Sequence, residues 1–244
     1  MNENVQIHQN LVKNKLDAVL DRIAQAAKSG RRRPEDVQLV VVTKGQSIET
    51  VHAAIEAGAR LLGENYVEEA LPKIEAASDC GDIEWHMIGH IQSRKAKTVV
   101  ENFDFVHSLD SMKLARRLDR YCEELGRSLP VLLELNVSGE ESKYGWPAWG
   151  EEKREEFAAD VEKILAFPNL RVQGLMTMAP YLDDPEGARP YFRLLRQVQE
   201  DLAKRFPRAD WKELSMGMSA DFEVAIQEGA TIVRIGTAIL GDRP

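Results

Sequence analysis

The run Leu39–Val40–Val41–Val42 is wholly apolar and leads through Thr43 into Lys44. A buried ammonium is costly unless paired. An amine desolvated at the mouth of a fold has a lowered pKa and suits Schiff-base formation with a carbonyl. By itself Lys44 reads better as the exit of a strand into solvent. Other polar residues end apolar runs in the same way. They are Asn65 in Gly63–Glu64–Asn65–Tyr66, His86 in Trp85–His86–Met87–Ile88–Gly89, and Asn136 with Lys143 shortly beyond it. A lone histidine in such a run is more often a hydrogen-bonded core residue than a catalyst, so His86 alone decides nothing.

Two later segments suit an anion. Ser215–Met216–Gly217–Met218–Ser219 precedes a helix expected to begin near Ala220, and a helix N-terminus offers unpaired N–H groups and a positive dipole end. Ser219 adds a hydroxyl there, and a plain N-cap is its simpler role. Arg234–Ile235–Gly236–Thr237 follows, with Gly236 allowing close approach of backbone to a ligand and Thr237 adding a donor.

The elements that must position these residues follow from periodicity. The first segment, to about Lys28, carries Val12, Leu16, Val19, Leu20 and Ile23 at helical spacing and stops at Gly30. Strands are expected at Val37–Lys44, Arg60–Glu64, Glu84–Ile88, Phe103–His107, Val131–Val137, Arg171–Met176, Glu213–Met216 and Thr231–Ile235. Between them lie helices at Ile48–Ala57, Tyr66–Ala77, Ser93–Glu101, Ser111–Leu125, Glu151–Phe167, Pro190–Phe206 and Ala220–Gln227. Strands alternating with helices imply a parallel sheet, and continuous apolar runs suit strands covered on both faces. Eight such units close into a (β/α)8 TIM barrel, a fold of roughly 250 residues. The chain has 244 residues and is expected to form one domain over 1–244. Its last residue, Pro244, follows the eighth strand closely, so the leading helix is expected to take the place of a final one. A doubly wound open sheet is the alternative, but no G-x-G-x-x-G follows the first strand. Barrel active sites gather at the C-terminal strand ends, and phosphates are often held by the loops after the last two strands.

Composition narrows the function. A net charge of −8 argues against nucleic acid as the main partner. Arg31–Arg32–Arg33 before Pro34 reads as a solvated loop. Cys80 and Cys122 have no metal-ligand spacing and read as reduced thiols. With neither a secretory signal nor an apolar stretch of about 18 residues, a cytoplasmic protein with no membrane contact is expected.

As an ordered set, Val42–Thr43–Lys44, Gly63–Glu64–Asn65–Tyr66, Trp85–His86–Met87–Ile88–Gly89, Leu214–Ser219 (LSMGMS) and Arg234–Gly241 (RIGTAILG) resemble the pyridoxal 5'-phosphate (PLP) homeostasis proteins. The resemblance implies a barrel similar to the N-terminal domain of bacterial alanine racemase, binding PLP as cofactor without established catalytic turnover. It implies that Lys44 carries the Schiff base, that Ser219, Gly236 and Thr237 hold the phosphate, that Arg234 faces the pyridine nitrogen, and that Asn65 and His86 line the pocket. A monomeric carrier or buffer is expected, passing PLP to PLP-dependent apo-enzymes or releasing it to free amino acids, with Lys143 a helper by position. A racemase-like enzyme is the alternative. Racemases also place an arginine at the pyridine nitrogen, but they add a tyrosine from a C-terminal domain. A third reading is a barrel enzyme for another phosphorylated substrate, with Lys44 as a plain phosphate or acid–base group. One local departure stands out: His90 and Gln92–Ser93–Arg94–Lys95 occupy a loop where the family reads proline and Gln-x-Asn-Lys.

Overall fold

In a computed structural model of the chain, which describes residues 3–242 with side chains from Gln6 onward, eight parallel strands close into a barrel. The strands are β1 (Gln38–Val42), β2 (Leu61–Glu64), β3 (Glu84–Met87), β4 (Phe105–Leu109), β5 (Leu129–Asn136), β7 (Leu170–Met176), β8 (Glu213–Ser215) and β9 (Ile232–Ile235). Each pairs in parallel with the next, and β1 closes the ring on β9 through Val40↔Arg234. A two-residue strand, β6 (Trp146–Pro147), extends the far end of β5.

Helices α2 (Ile48–Glu56), α3 (Val67–Ala76), α4 (Ala96–Asn102), α5 (Met112–Leu125), α6 (Glu151–Ile164), α7 (Arg189–Arg205) and α8 (Phe222–Gln227) link the strands. The long leading helix α1 (Glu3–Ser29) packs against α2, α8 and a four-residue helix α9 (Thr237–Leu240). It therefore occupies the place of a final barrel helix. Val12, Leu16, Val19 and Ile23 are buried on its inner face, whereas Leu20 points outward. Pro244 lies outside the described residues.

The main core lies between strands and helices, because outward strand residues such as Val41, Leu62 and Leu133 meet the apolar helix faces. Inside the barrel a smaller cluster, Val40, Phe105, Leu132, Met176 and Ile232, fills the middle. Strands β7 and β8 approach too closely for a side chain at Gly174, whose φ is +148°. A Cβ there would lie 1.9 Å from the Glu213 carbonyl oxygen.

Several boundaries differ from expectation for local reasons. Strand β1 ends two residues before Lys44, because Thr43 and Gln46 close a turn. Strand β4 starts at Phe105, since Phe103 caps α4 and the Asp104 carboxylate accepts from the Trp85 N–H. Helix α6 ends at Ile164, where a tighter turn carries the chain to Phe167 before Pro168. Ser93–Lys95 is a 3-10 turn preceding α4. Ser111 caps α5 by accepting from the Leu114 N–H, and Gly126 ends it in the left-handed region.

The Arg31–Arg33 run is not simply solvated. Arg32 donates to the carbonyls of Ile226 and Ala230 and ties α1 to α8. Among the described residues no helix is long and apolar enough to cross a membrane, no group of His, Cys, Asp and Glu could hold a metal ion, and both cysteines are free.

Candidate functional site at the C-terminal mouth

The strand ends surround a cavity of about 340 Å³, within the roughly 300–1,000 Å³ common for small-molecule sites. Lys44, Asn65, Ser219, Arg234, Gly236 and Thr237 all line it. His86 does not. It lies fully inside the barrel, its Nδ1 2.8 Å from Nε2 of His107.

Lys44 is half-buried in the turn after β1. Three ionisable residues hold that turn. Lys73, on the inner face of α3, donates to the Thr43 carbonyl (2.8 Å), to Glu64 Oε1 (2.8 Å) and to Glu69 Oε1 (2.6 Å). Glu64 Oε1 also accepts from the Thr43 hydroxyl (2.7 Å), and Glu69 accepts from the Gly45 N–H. The residues on either side of Lys44 are thus pinned by one buried cluster. Burial pushes the Glu64 carboxyl upward against the pull of Lys73 and Thr43. No sequence motif marks this cluster. Its signal is a charged residue, Lys73, in register with Val67 and Ala70 on the apolar face of a helix.

Ser219 does not cap α8, contrary to expectation. Asp221 closes the preceding turn by accepting from the Met218 N–H (2.6 Å), and α8 starts at Phe222. The Ser219 hydroxyl instead accepts from the Ala238 N–H at the start of α9 (3.4 Å). This brings Ser219, Gly236 and Thr237 to one wall. Gly236 owes its lack of a side chain to β1, since a Cβ would stand 3.0 Å from the Val42 carbonyl oxygen.

Arg234 forms the cavity floor and is 4% exposed. Burial lowers its pKa to about 10, opposed by Glu134 and Asp221, so it remains a cation at neutral pH. It donates to Ser215 Oγ (2.6 Å) and to the Thr177 carbonyl (3.0 Å). Since the guanidinium only donates, the Ser215 hydroxyl is left to donate to His107 Nδ1 (2.9 Å). Burial holds His107 well below the usual imidazole range. The neutral ring therefore donates from Nε2 to His86, whose own proton sits on Nε2, 3.7 Å from Glu84. A directed chain of hydrogen bonds so runs from Arg234 through Ser215 and His107 to His86 inside the barrel.

A second cavity, of about 380 Å³, shares Asn65, Ile88 and Met178 with the first. Glu134 lines it, pointing inward from β5. Burial and Asp110 raise its carboxyl to about 7, against the pull of Arg234. Lys143 lines neither cavity, but it pairs with Glu140 and donates to the carbonyl of Met178 in their shared wall.

Comparison with known proteins identifies the family. The family model for the N-terminal domain of alanine racemase matches residues 15–244. The pyridoxal phosphate homeostasis protein of Aquifex aeolicus is 42% identical over 229 residues, 94% of this chain and 97% of that one. The chain belongs to the pyridoxal phosphate homeostasis protein family. The Escherichia coli K12 family member is 40% identical over 241 residues, 96% of this chain and 97% of its own. PipY of Synechococcus elongatus, solved with PLP bound, is 36% identical with a TM-score of 0.78, over 90% of this chain and all of that one. An alanine racemase from Clostridium difficile, 14% identical with a TM-score of 0.64, shares the fold over 92% of this chain and 57% of its own.

Proposed function

We propose that the chain binds PLP in the Lys44 cavity, holds it as a Schiff base on Lys44, and serves as a cytoplasmic carrier or buffer of the cofactor. The observation that carries this reading is the placement of one half-buried lysine, a wall of hydroxyl and backbone donors and a buried guanidinium around a single cavity. An orphaned polar atom agrees: Asn65 Oδ1 is buried with no hydrogen-bond partner among the described residues, an acceptor suited to a ligand hydroxyl. The relatives' printed names and PLP-bound PipY point the same way.

When bound, PLP supplies an aldehyde carbon for the Lys44 amine and a dianionic phosphate. Ser219, Gly236 and Thr237 hold the phosphate, where hydroxyl and backbone donors suit an anion. Arg234 faces the pyridine nitrogen. As a donor that keeps its proton, it leaves that nitrogen unprotonated and weakens the ring as an electron sink. The Glu64–Lys73–Glu69 cluster fixes the turn that presents Lys44. Transfer to PLP-dependent apo-enzymes and release to free amino acids complete the proposal.

Titration with PLP, followed by visible absorption, tests it. Wild type develops a yellow imine band and Lys44→Ala does not. Ser219→Ala retains the band but binds several-fold more weakly, the effect of about 1 kcal/mol for one lost hydrogen bond. Absence of the band in wild type contradicts the proposal.

A further inference from the structure

The second cavity contains a group that the proposed cofactor site leaves without a task. Glu134 is 3% exposed, interrupts the apolar run Val131–Leu135 of β5, and receives no hydrogen bond from a donor among the described residues. A buried carboxylate in that condition is costly, and natural structures usually give such groups a partner. Arg234 attracts it electrostatically without touching it, while Asp110, held by His90 at 2.7 Å, opposes its ionisation. The cavity is open enough to admit a small molecule and has a flat wall where His90 stacks on Tyr144 at 3.8 Å. Its rim carries Arg94, Lys95 and Glu68. Lys95 is paired with Glu68, and Arg94 donates to the Gln92 side chain and so leaves its terminal nitrogens without a hydrogen bond among the described residues.

We infer that this cavity binds a small zwitterionic primary amine of the α-amino-acid class, its ammonium against Glu134 and its carboxylate toward Arg94. An ammonium carries three donors and a full positive charge, which answers both deficits of Glu134. Glu134 within and Arg94 at the rim set the orientation, since the charge of Lys95 is already met by Glu68. The shared wall of Asn65, Ile88 and Met178 then brings the amine beside the Lys44 cavity. That consequence, delivery of an amine nitrogen next to the bound cofactor, rests on the proposed function. The binding itself does not.

Ammonium binding requires Glu134 to be ionised, so near pH 7 it displaces protons from the fraction that is protonated. The ionisable groups that line the cavity with Glu134 are Tyr66, Glu68, His90, Arg94, Lys95 and Tyr144, and Asp110 and Arg234 act on it electrostatically.

The test is calorimetry on the chain without PLP, titrated at pH 7 with glycine, ethylamine or acetate in two buffers of different ionisation enthalpy. Glycine binds with release of a fraction of a proton, ethylamine binds more weakly, and acetate does not bind. Glu134→Gln lowers glycine affinity at least tenfold and abolishes the release. Arg94→Gln weakens glycine but not ethylamine. Glycine affinity unchanged in Glu134→Gln, acetate binding as tightly as glycine, or proton release persisting in Glu134→Gln would each overturn the inference. Should Glu134→Gln not fold, the comparison of glycine, ethylamine and acetate on the wild type and on Arg94→Gln still decides. The PLP absorption titration, run separately, shows whether a failure belongs to the amine site or to the cofactor site.

Discussion

Glu64 and Glu134 are both carboxylates buried at the C-terminal ends of barrel strands, and burial raises the pKa of both. Their surroundings differ. Glu64 faces outward from β2 into the helix layer and meets Lys73 and Thr43 at hydrogen-bond distance. Glu134 faces inward from β5 and meets an open cavity. The outward acid is part of a scaffold that fixes a backbone turn. The inward one is held in a costly state that packing does not explain, as is common where a ligand is to be received.

Removing the ammonium from the scaffold should have the largest effect. Lys73→Met strands Glu64, fully buried, beside an unneutralised neighbour, and breaking such a pair typically costs about 3–5 kcal/mol. Chemical denaturation should show that loss, and the double variant Lys73→Met/Glu64→Gln should recover much of it. Equal destabilisation in the double variant would remove the distinction between the two acids.

Glu134→Gln should act in the opposite direction. The native pKa, about 7, stands above the ordinary carboxyl value. The folded state therefore binds more protons between these limits, and stability falls as pH rises from about 4.5 to about 7. Above that range ionised Glu134 costs up to about 3 kcal/mol. The glutamine variant should lose this slope and match or exceed wild-type stability at pH 8. A slope unchanged by the substitution would show that Glu134 does not titrate there.

The smallest effect belongs to Glu69, which is partly exposed. Glu69→Gln should change stability by less than about 1 kcal/mol. Because Glu69 also holds the Gly45 N–H, borohydride trapping of PLP should nonetheless slow several-fold. A rate equal to wild type would place the positioning of Lys44 on Glu64 and Lys73 alone.

Much of this architecture is legible in the chain because its signals are periodic. The unbroken run Leu39–Val42 announces a strand covered on both faces, and the Val12, Leu16, Val19, Ile23 spacing announces the leading helix. Boundaries slipped where one side chain captured a backbone group, as Asp104 does before β4 and Asp221 before α8. The cavity residues were legible as polar groups at strand ends. Lys73 and Glu134 were not, because each is a lone charge within an apolar pattern, and its partners come from elements distant in sequence. His86 shows the converse. Its strand was read correctly, but depth within the barrel decides that it serves the Arg234 chain and does not line the cavity.

The most direct test of the central claim is borohydride reduction of the PLP-loaded chain followed by peptide mass mapping. The account predicts a pyridoxyl label on Lys44 and on no other lysine to a comparable extent. A label on Lys143 or Lys73 in place of Lys44, or no label after reduction, would contradict it.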